Sequence, residues 1–253
     1  MSHPEISSDA VSIVLVRTSH PGNIGAAARA MRTMGLTRLC LVAPGRFPHP
    51  DASAMAAGAD EVLDRAQLFD TLEDAVSDCR WVMGCSARRR SVVMDEFAPS
   101  EAAVRIWDAA ALGPVALVFG CERTGLSNEE LQHCHASVHI PSVQDFSSLN
   151  LAAAVQVLAW ELRREALARA GNVDPTVVPP ADEPPATAAQ MEGLFGHLAQ
   201  MLDDIEFHKG REPERVMRRL RQLLLRAQPD QREVRLLRGI FSEAQRVARL
   251  AGH

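Results

Sequence analysis

Hydrophobic residues in this chain cluster in short unbroken runs, and the stretches between them carry helical spacing. Residues 11–16 (VSIVLV), 37–42 (TRLCLV), 80–85 (RWVMGC) and 114–120 (PVALVFG) are continuous rather than alternating, the pattern of strands buried on both faces. Residues 137–140 read as a last strand, and 59–68 contains a shorter one. The segments 22–34, 52–57, 72–79, 99–110 and 128–134 read as helices. The first, GNIGAAARAMRTM, is rich in good helix formers and closes at Gly35, a residue suited to the position after a helix end. Strand and helix alternating in this way predict an α/β domain on a mainly parallel sheet of five or six strands. Ligands of such sheets sit beyond the carboxyl ends of the strands, which singles out three loops, 85–90, 120–127 and 141–148.

The third loop leads into the longest predicted helix. Residues 139–161, HIPSVQDFSSLNLAAAVQVLAWE, pass from a short apolar strand through Pro141 and a polar loop into an Ala-rich helix expected over 149–170. Such a helix mouth presents free N–H groups and polar side chains. Ser147 or Ser148 is the expected cap, with Asn150 in the first turn. Beyond the helix, five prolines fall between 174 and 188, so 171–188 reads as a semi-extended linker. Residues 190–208, 214–227 and 231–250 then read as three helices, the first clearly amphipathic and the second arginine-rich. The chain divides into a domain at 1–170, the linker, and a small all-α extension at 189–253.

Composition narrows the class. Hydrophobic residues make up 47% and charged residues 23%, as in ordinary globular proteins. The polar start MSHPEISSDA and the lack of an apolar stretch of spanning length predict no secretory signal, no membrane segment and a cytoplasmic location. Five scattered cysteines fit reduced thiols. His133, Cys134 and His135 are crowded but lack metal-ligand spacing, so no metal is expected. The net charge of −5 conceals an asymmetry: residues 189–253 hold 12 Lys+Arg against 9 Asp+Glu, a balance of +3, leaving −8 for the remainder. That local arginine excess suits a polyanionic partner.

Neither GxSxG, HExxH nor GxxxxGK[ST] occurs. Where GxGxxG would follow the first strand stands Pro21-Gly22-Asn23-Ile24-Gly25, which argues against nicotinamide, flavin and P-loop enzymes. Three clusters remain. In Asn23-Ile24-Gly25-Ala26-Ala27-Ala28-Arg29, Gly25 and the alanines let the helix approach its neighbours closely, and Arg29 lies one turn on. In Gly120-Cys121-Glu122-Arg123-Thr124-Gly125-Leu126, a buried strand delivers a glycine-flanked polar loop. The third cluster runs from Asp145 to Asn150.

Together the three clusters resemble the three motifs of the SPOUT (SpoU–TrmD) class of RNA methyltransferases, across roughly residues 10–167. Residues 146–150 and the arginine-rich MRRLRQLLLRA at 217–227 are most similar to the TrmJ family, which extends the resemblance over nearly the whole chain. It implies a SPOUT fold with a C-terminal trefoil knot, a rare exception to the rule against threaded chains. It also implies a homodimer, S-adenosyl-L-methionine as donor, and 2′-O-methylation of cytidine or uridine at position 32 of the tRNA anticodon loop. By the same resemblance Cys85, Ser86, Ala87, Gly120, Ile140, Ser147, Ser148 and Leu149 hold the donor. Cys85 departs mildly from the family's usual Thr-Ser-Ala. Arg29 matches the catalytic arginine and Ser148 a position that orients ribose or donor, with Asn150 and Glu122 as supporting catalytic candidates. Because arginine stays protonated in proteins, Arg29 is expected to grip the flanking phosphate and stabilise the developing alkoxide, in a dimer at the other subunit's pocket. The extension becomes a tRNA-binding arm, with Arg215, Arg218, Arg219, Arg221 and Arg226 meeting phosphates. Competing readings are a 2′-O-methyltransferase of ribosomal RNA or of another tRNA position, and a non-catalytic RNA-binding protein on the same fold.

Overall fold

The structure is a computed structural model that describes residues 8–86, 94–143, 148–171, 183–209 and 212–251. The chain forms two compact units, Met1–Pro179 and Pro180–His253. In the first, seven strands make one sheet: β1 (Val11–Val16), β2 (Arg38–Val42), β3 (Gln67–Phe69), β4 (Trp81–Cys85), β5 (Asp95–Phe97), β6 (Val115–Phe119) and β7 (Ala136–Val138). Their order is β3-β2-β1-β6-β4-β7-β5, and every pairing is parallel. β3 overlaps the short strand expected within 59–68, and the one strand beyond the six expected is the edge strand β5 (DEF), which has too few apolar residues to signal itself.

Side chains of a strand alternate between faces. Val11, Ile13 and Leu15 of β1, Trp81 and Met83 of β4, and Val115, Leu117 and Phe119 of β6 belong to one core. Helices α1 (Pro21–Thr33), α2 (Pro50–Ala56), α3 (Asp60–Asp64), α4 (Leu72–Val76), α5 (Pro99–Ala110), α6 (Asn128–Leu131) and α7 (Leu151–Gly171) complete the unit, and α1, α2, α3, α5 and α7 all contribute to that core. On the other face, Gly84 of β4 lies against Leu126, Leu131 and Cys134. The close approach expected of Gly25 is present: a Cβ there would stand 1.9 Å from the Ala52 carbonyl oxygen of α2. Trp107 Nε1 donates to the Leu162 carbonyl at 2.9 Å, and Arg169 pairs with both Asp108 and Glu165. These bonds fasten α7 along α5.

A second polar fixture lies inside the sheet. The His135 N–H donates to the Val82 carbonyl at 2.8 Å, and the Val82 N–H donates to His135 Nδ1 at 3.1 Å. Burial pushes the His135 pKa down to about 4, against about 6.5 in an unfolded chain. Between these values the unfolded chain takes up a proton that the folded one refuses. The His135 contribution to stability is therefore fully present above pH about 6.5 and is lost as pH falls toward 4, by about 3 kcal/mol. Denaturant titrations across that range are expected to show the slope, and His135→Gln to flatten it.

The second unit holds α8 (Ala188–Asp204), α9 (Pro213–Ala227) and α10 (Gln231–Ala251). Thr187 and Gln190 form a reciprocal capping box at the start of α8. Leu194, Phe195, Leu198 and Leu202 of α8 meet Leu225, Val234 and Phe241 in a separate core. The end of the expected linker belongs to this unit, since Ala186 N–H donates to the Pro229 carbonyl and Gln231 N–H to that of Pro184. Arg221 is not available to a partner as expected. Its guanidinium grips both oxygens of Glu192 and lies 4.3 Å from the centre of the Phe195 ring. Arg215, Arg218, Arg219 and Arg226 are exposed.

Candidate active site

Strands β6, β4 and β7 are neighbours or next neighbours, and their carboxyl ends open on one cleft. Cys85 and Ser86 follow β4, Gly120 to Gly125 follow β6, and Ile140 follows β7. Ser148, Leu149, Leu151 and Ala154 close the cleft from the start of α7. Its empty space, mouth included, is about 760 Å³, within the range of small-molecule sites. Phe119, Ile140, Leu151 and Ala154 give it an apolar floor, while Ser86, Thr124 and Ser148 supply hydroxyls. Desolvation pushes the Cys85 thiol up to about 12, so that side chain enters as a neutral group.

The loop after β6 folds back on itself. Gly125 N–H donates to the Cys121 carbonyl at 2.9 Å, and Gly125 takes a φ of 65°. A Cβ on Gly120 would lie 2.1 Å from Gly125 C and from Leu126 N. Ser127 and Glu130 then cap α6 reciprocally, and Glu130 also pairs with Arg17 at 2.6 Å. The turn is thus pinned to the loop after β1.

Glu122 adds a second pin. Its Oε2 accepts from Ser19 N–H and Ser19 Oγ, both at 3.1 Å. Its Oε1 accepts from His20 N–H at 3.1 Å and from Asn23 Nδ2 at 3.0 Å. Partial burial would raise its pKa, but the donors from Asn23, Ser19 and His20 outweigh that and hold it at about 2. The carboxylate is therefore ionised with its lone pairs engaged, which suits an anchor better than a proton acceptor. Asn23 continues the chain of bonds: its Oδ1 accepts from Asn150 Nδ2 at 3.1 Å, and Asn150 Oδ1 accepts from Ala152 N–H at 2.9 Å. All three clusters are joined through these side chains.

The last bond corrects the expected cap. Helix α7 begins at Leu151 rather than 149, and Asn150 precedes it and caps it through Ala152 N–H. Of the expected donor-binding residues, Cys85, Ser86, Gly120, Ile140, Ser148 and Leu149 line the cleft. Ala87 and Ser147 lie outside the described residues. Among the catalytic candidates, Ser148 and Glu122 line it, and Asn150 adjoins it through the bonds above. Arg29 is exposed on α1 and does not line the cleft. Asn23, part of the first cluster but not among the expected site residues, proves to be its central link. Its bonds to Glu122 and Asn150 span 99 and 127 residues, a separation that no local pattern reveals. No group of three His, Cys, Asp or Glu suited to a metal occurs among the described residues.

Residues 10–160 match the SpoU rRNA Methylase family, and residues 189–253 match the tRNA methyltransferase TrmJ, C-terminal domain. The chain is 48% identical to the tRNA (cytidine/uridine/adenosine-2′-O-)-methyltransferase TrmJ of Pseudomonas aeruginosa, covering 95% of this chain and 96% of that one. It is 45% identical to the tRNA (cytidine/uridine-2′-O-)-methyltransferase TrmJ of Salmonella typhimurium, covering 93% and 96%. The crystal structure of TrmJ from Z. mobilis superposes with a TM-score of 0.79 at 36% identity, over 92% of this chain and 97% of that one.

Proposed function

We infer the function from one premise: the chain belongs to the SpoU rRNA methylase family, and within it to the TrmJ tRNA methyltransferases. It transfers a methyl group from S-adenosylmethionine to a ribose 2′-hydroxyl of tRNA, at cytidine or uridine 32 of the anticodon loop. The observation that carries this reading is the convergence of three sequence clusters on one cleft, locked by the Glu122–Asn23–Asn150 chain of hydrogen bonds.

The cleft suits the donor. Its apolar floor accepts a purine face, and the main-chain groups at Gly120, Ile140 and Leu149 suit the purine edge and ribose, with Ser86 and Ser148 beside them. When bound, S-adenosylmethionine supplies an electrophilic methyl on a sulfonium. The protein's own part is to position the hydroxyl in line and to stabilise the charge that develops on its oxygen. Ser148, at the mouth, orients the ribose or donor. Glu122 stays ionised and holds the first two loops together, so it acts as a positioning residue. Asn150 fixes the start of α7. Arg29, pointing to solvent, grips the phosphate beside the target and stabilises the alkoxide, and in a homodimer it does so at the partner's cleft.

The dimer would pair through α7, whose Trp160 and Leu167 remain exposed in one protomer. We read α7 as the helix threaded at the family's trefoil knot. The helical unit would be a tRNA-binding arm, through Arg215, Arg218, Arg219 and Arg226. Replacing Arg218 and Arg219 with alanine is expected to weaken tRNA binding and to lower its log–log salt slope by roughly 1 for each phosphate that is no longer neutralised. An unchanged slope would remove the arm from the account.

The function is tested by incubating the protein with bulk tRNA and methyl-labelled S-adenosylmethionine. Label in ribose-methylated nucleosides is expected. Label in ribosomal RNA alone would favour the alternative substrate, and no transfer to any RNA would favour a binding protein on this fold.

A further inference from the structure

Among the described residues, two charged side chains line the cleft, Glu122 and Arg123. They are neighbours in sequence, and a pair of opposite charge would ordinarily neutralise itself. Here it does not. The Glu122 carboxylate is committed to donors from Ser19, His20 and Asn23. The nearby Arg17 is likewise committed, to Glu130. Arg123 is exposed, and its guanidinium makes no ion pair or hydrogen bond among the described residues. Its main chain sits in the tight turn closed by Gly125 N–H and the Cys121 carbonyl, where Cys121 Sγ and Thr124 Oγ1 also meet at 3.2 Å. A fixed base carries a long cationic side chain at the rim of a pocket whose one carboxylate is already engaged.

We propose that Arg123 is an anion-binding group of the cleft, taking a carboxylate or phosphate oxygen pair of a bound ligand through its planar guanidinium. This rests on the function proposed above, which brings two such anions to the cleft: the carboxylate of the donor's methionine and the phosphate of the target nucleotide. Arginine suits either, because its fork matches both geometries with two parallel hydrogen bonds. Lysine in its place keeps the charge and loses the fork. The role differs from that of Arg29, which lies on α1 and does not line the same protomer's cleft.

The test compares the full-length wild type with Arg123→Gln and Arg123→Lys. Calorimetry measures S-adenosylmethionine binding, and a salt series measures tRNA binding. Because Arg123 is exposed, both variants are expected to melt with the wild type. If the anion is the donor's carboxylate, Arg123→Gln weakens S-adenosylmethionine binding at least tenfold, leaves tRNA binding unchanged, and Arg123→Lys recovers only part of the loss. If it is the phosphate, Arg123→Gln leaves donor binding intact and lowers the tRNA salt slope by roughly 1. Both bindings unchanged in the variants, with a wild type that binds donor and tRNA, would overturn the anion site alone. A wild type that binds neither would overturn the function itself, and the anion site with it.

Discussion

Arg29→Ala is expected to lower methyl transfer to tRNA by roughly 10²–10³-fold, the scale set by losing one preorganised charge from a developing oxyanion, while S-adenosylmethionine binds as before. The split between the two readouts follows from position. Arg29 sits one turn after Gly25 on α1, exposed, and is not among the residues that line the cleft. It has nothing to offer the donor there. Its permanent charge fits it to phosphate and alkoxide, and unfits it as a base. Arg29→Lys should recover part of the rate, since charge survives without the fork. Calorimetry showing weakened donor affinity in Arg29→Ala would overturn the assignment.

Gly120→Ala is expected to abolish donor binding and lower the melting temperature. The added Cβ would meet Gly125 C and Leu126 N at 2.1 Å. These are main-chain atoms of the loop's own return, so the turn must open. Opening it moves Glu122 away from Ser19, His20 and Asn23, and with them the link to Asn150 and α7. Overpacking of this kind costs about 1–3 kcal/mol or more, and here the strain falls on the cleft wall. Gly125→Asn is the informative control. Its φ of 65° is one that asparagine tolerates, and the space around it is open. That variant should keep donor binding, and equal loss in both would contradict the steric argument.

Much of this was legible in the sequence because the signals are local. Continuous runs such as VSIVLV and VALVF mark β1 and β6, and a parallel sheet puts its ligand loops at one end. The edge strand β5 is the exception, since three residues, Asp95–Phe97, are defined as a strand by the partner β7 and not by their own composition. The cleft residues Gly120, Ile140 and Leu149 were reachable through resemblance to known motifs. The division of labour among polar side chains was not. In sequence Glu122 is one polar residue of a glycine-flanked loop and a supporting catalytic candidate. Its four donors come from a stretch about a hundred residues earlier; they suit it to an anchor rather than a proton acceptor, and Arg123 beside it has no ion-pair partner among the described residues. Arg221 shows the same effect in the helical unit. In sequence it is one of several arginines in α9, and only packing against Glu192 and Phe195 withdraws it.

The central claim is tested most directly by mapping the modified nucleoside. tRNA from a strain lacking this protein would be incubated with the purified chain and S-adenosylmethionine, digested, and sequenced by mass spectrometry. A 2′-O-methyl group appearing on cytidine or uridine at position 32, and nowhere on the base, is the predicted result. Methylation at a base atom, or ribose methylation confined to another position or to ribosomal RNA, would contradict it.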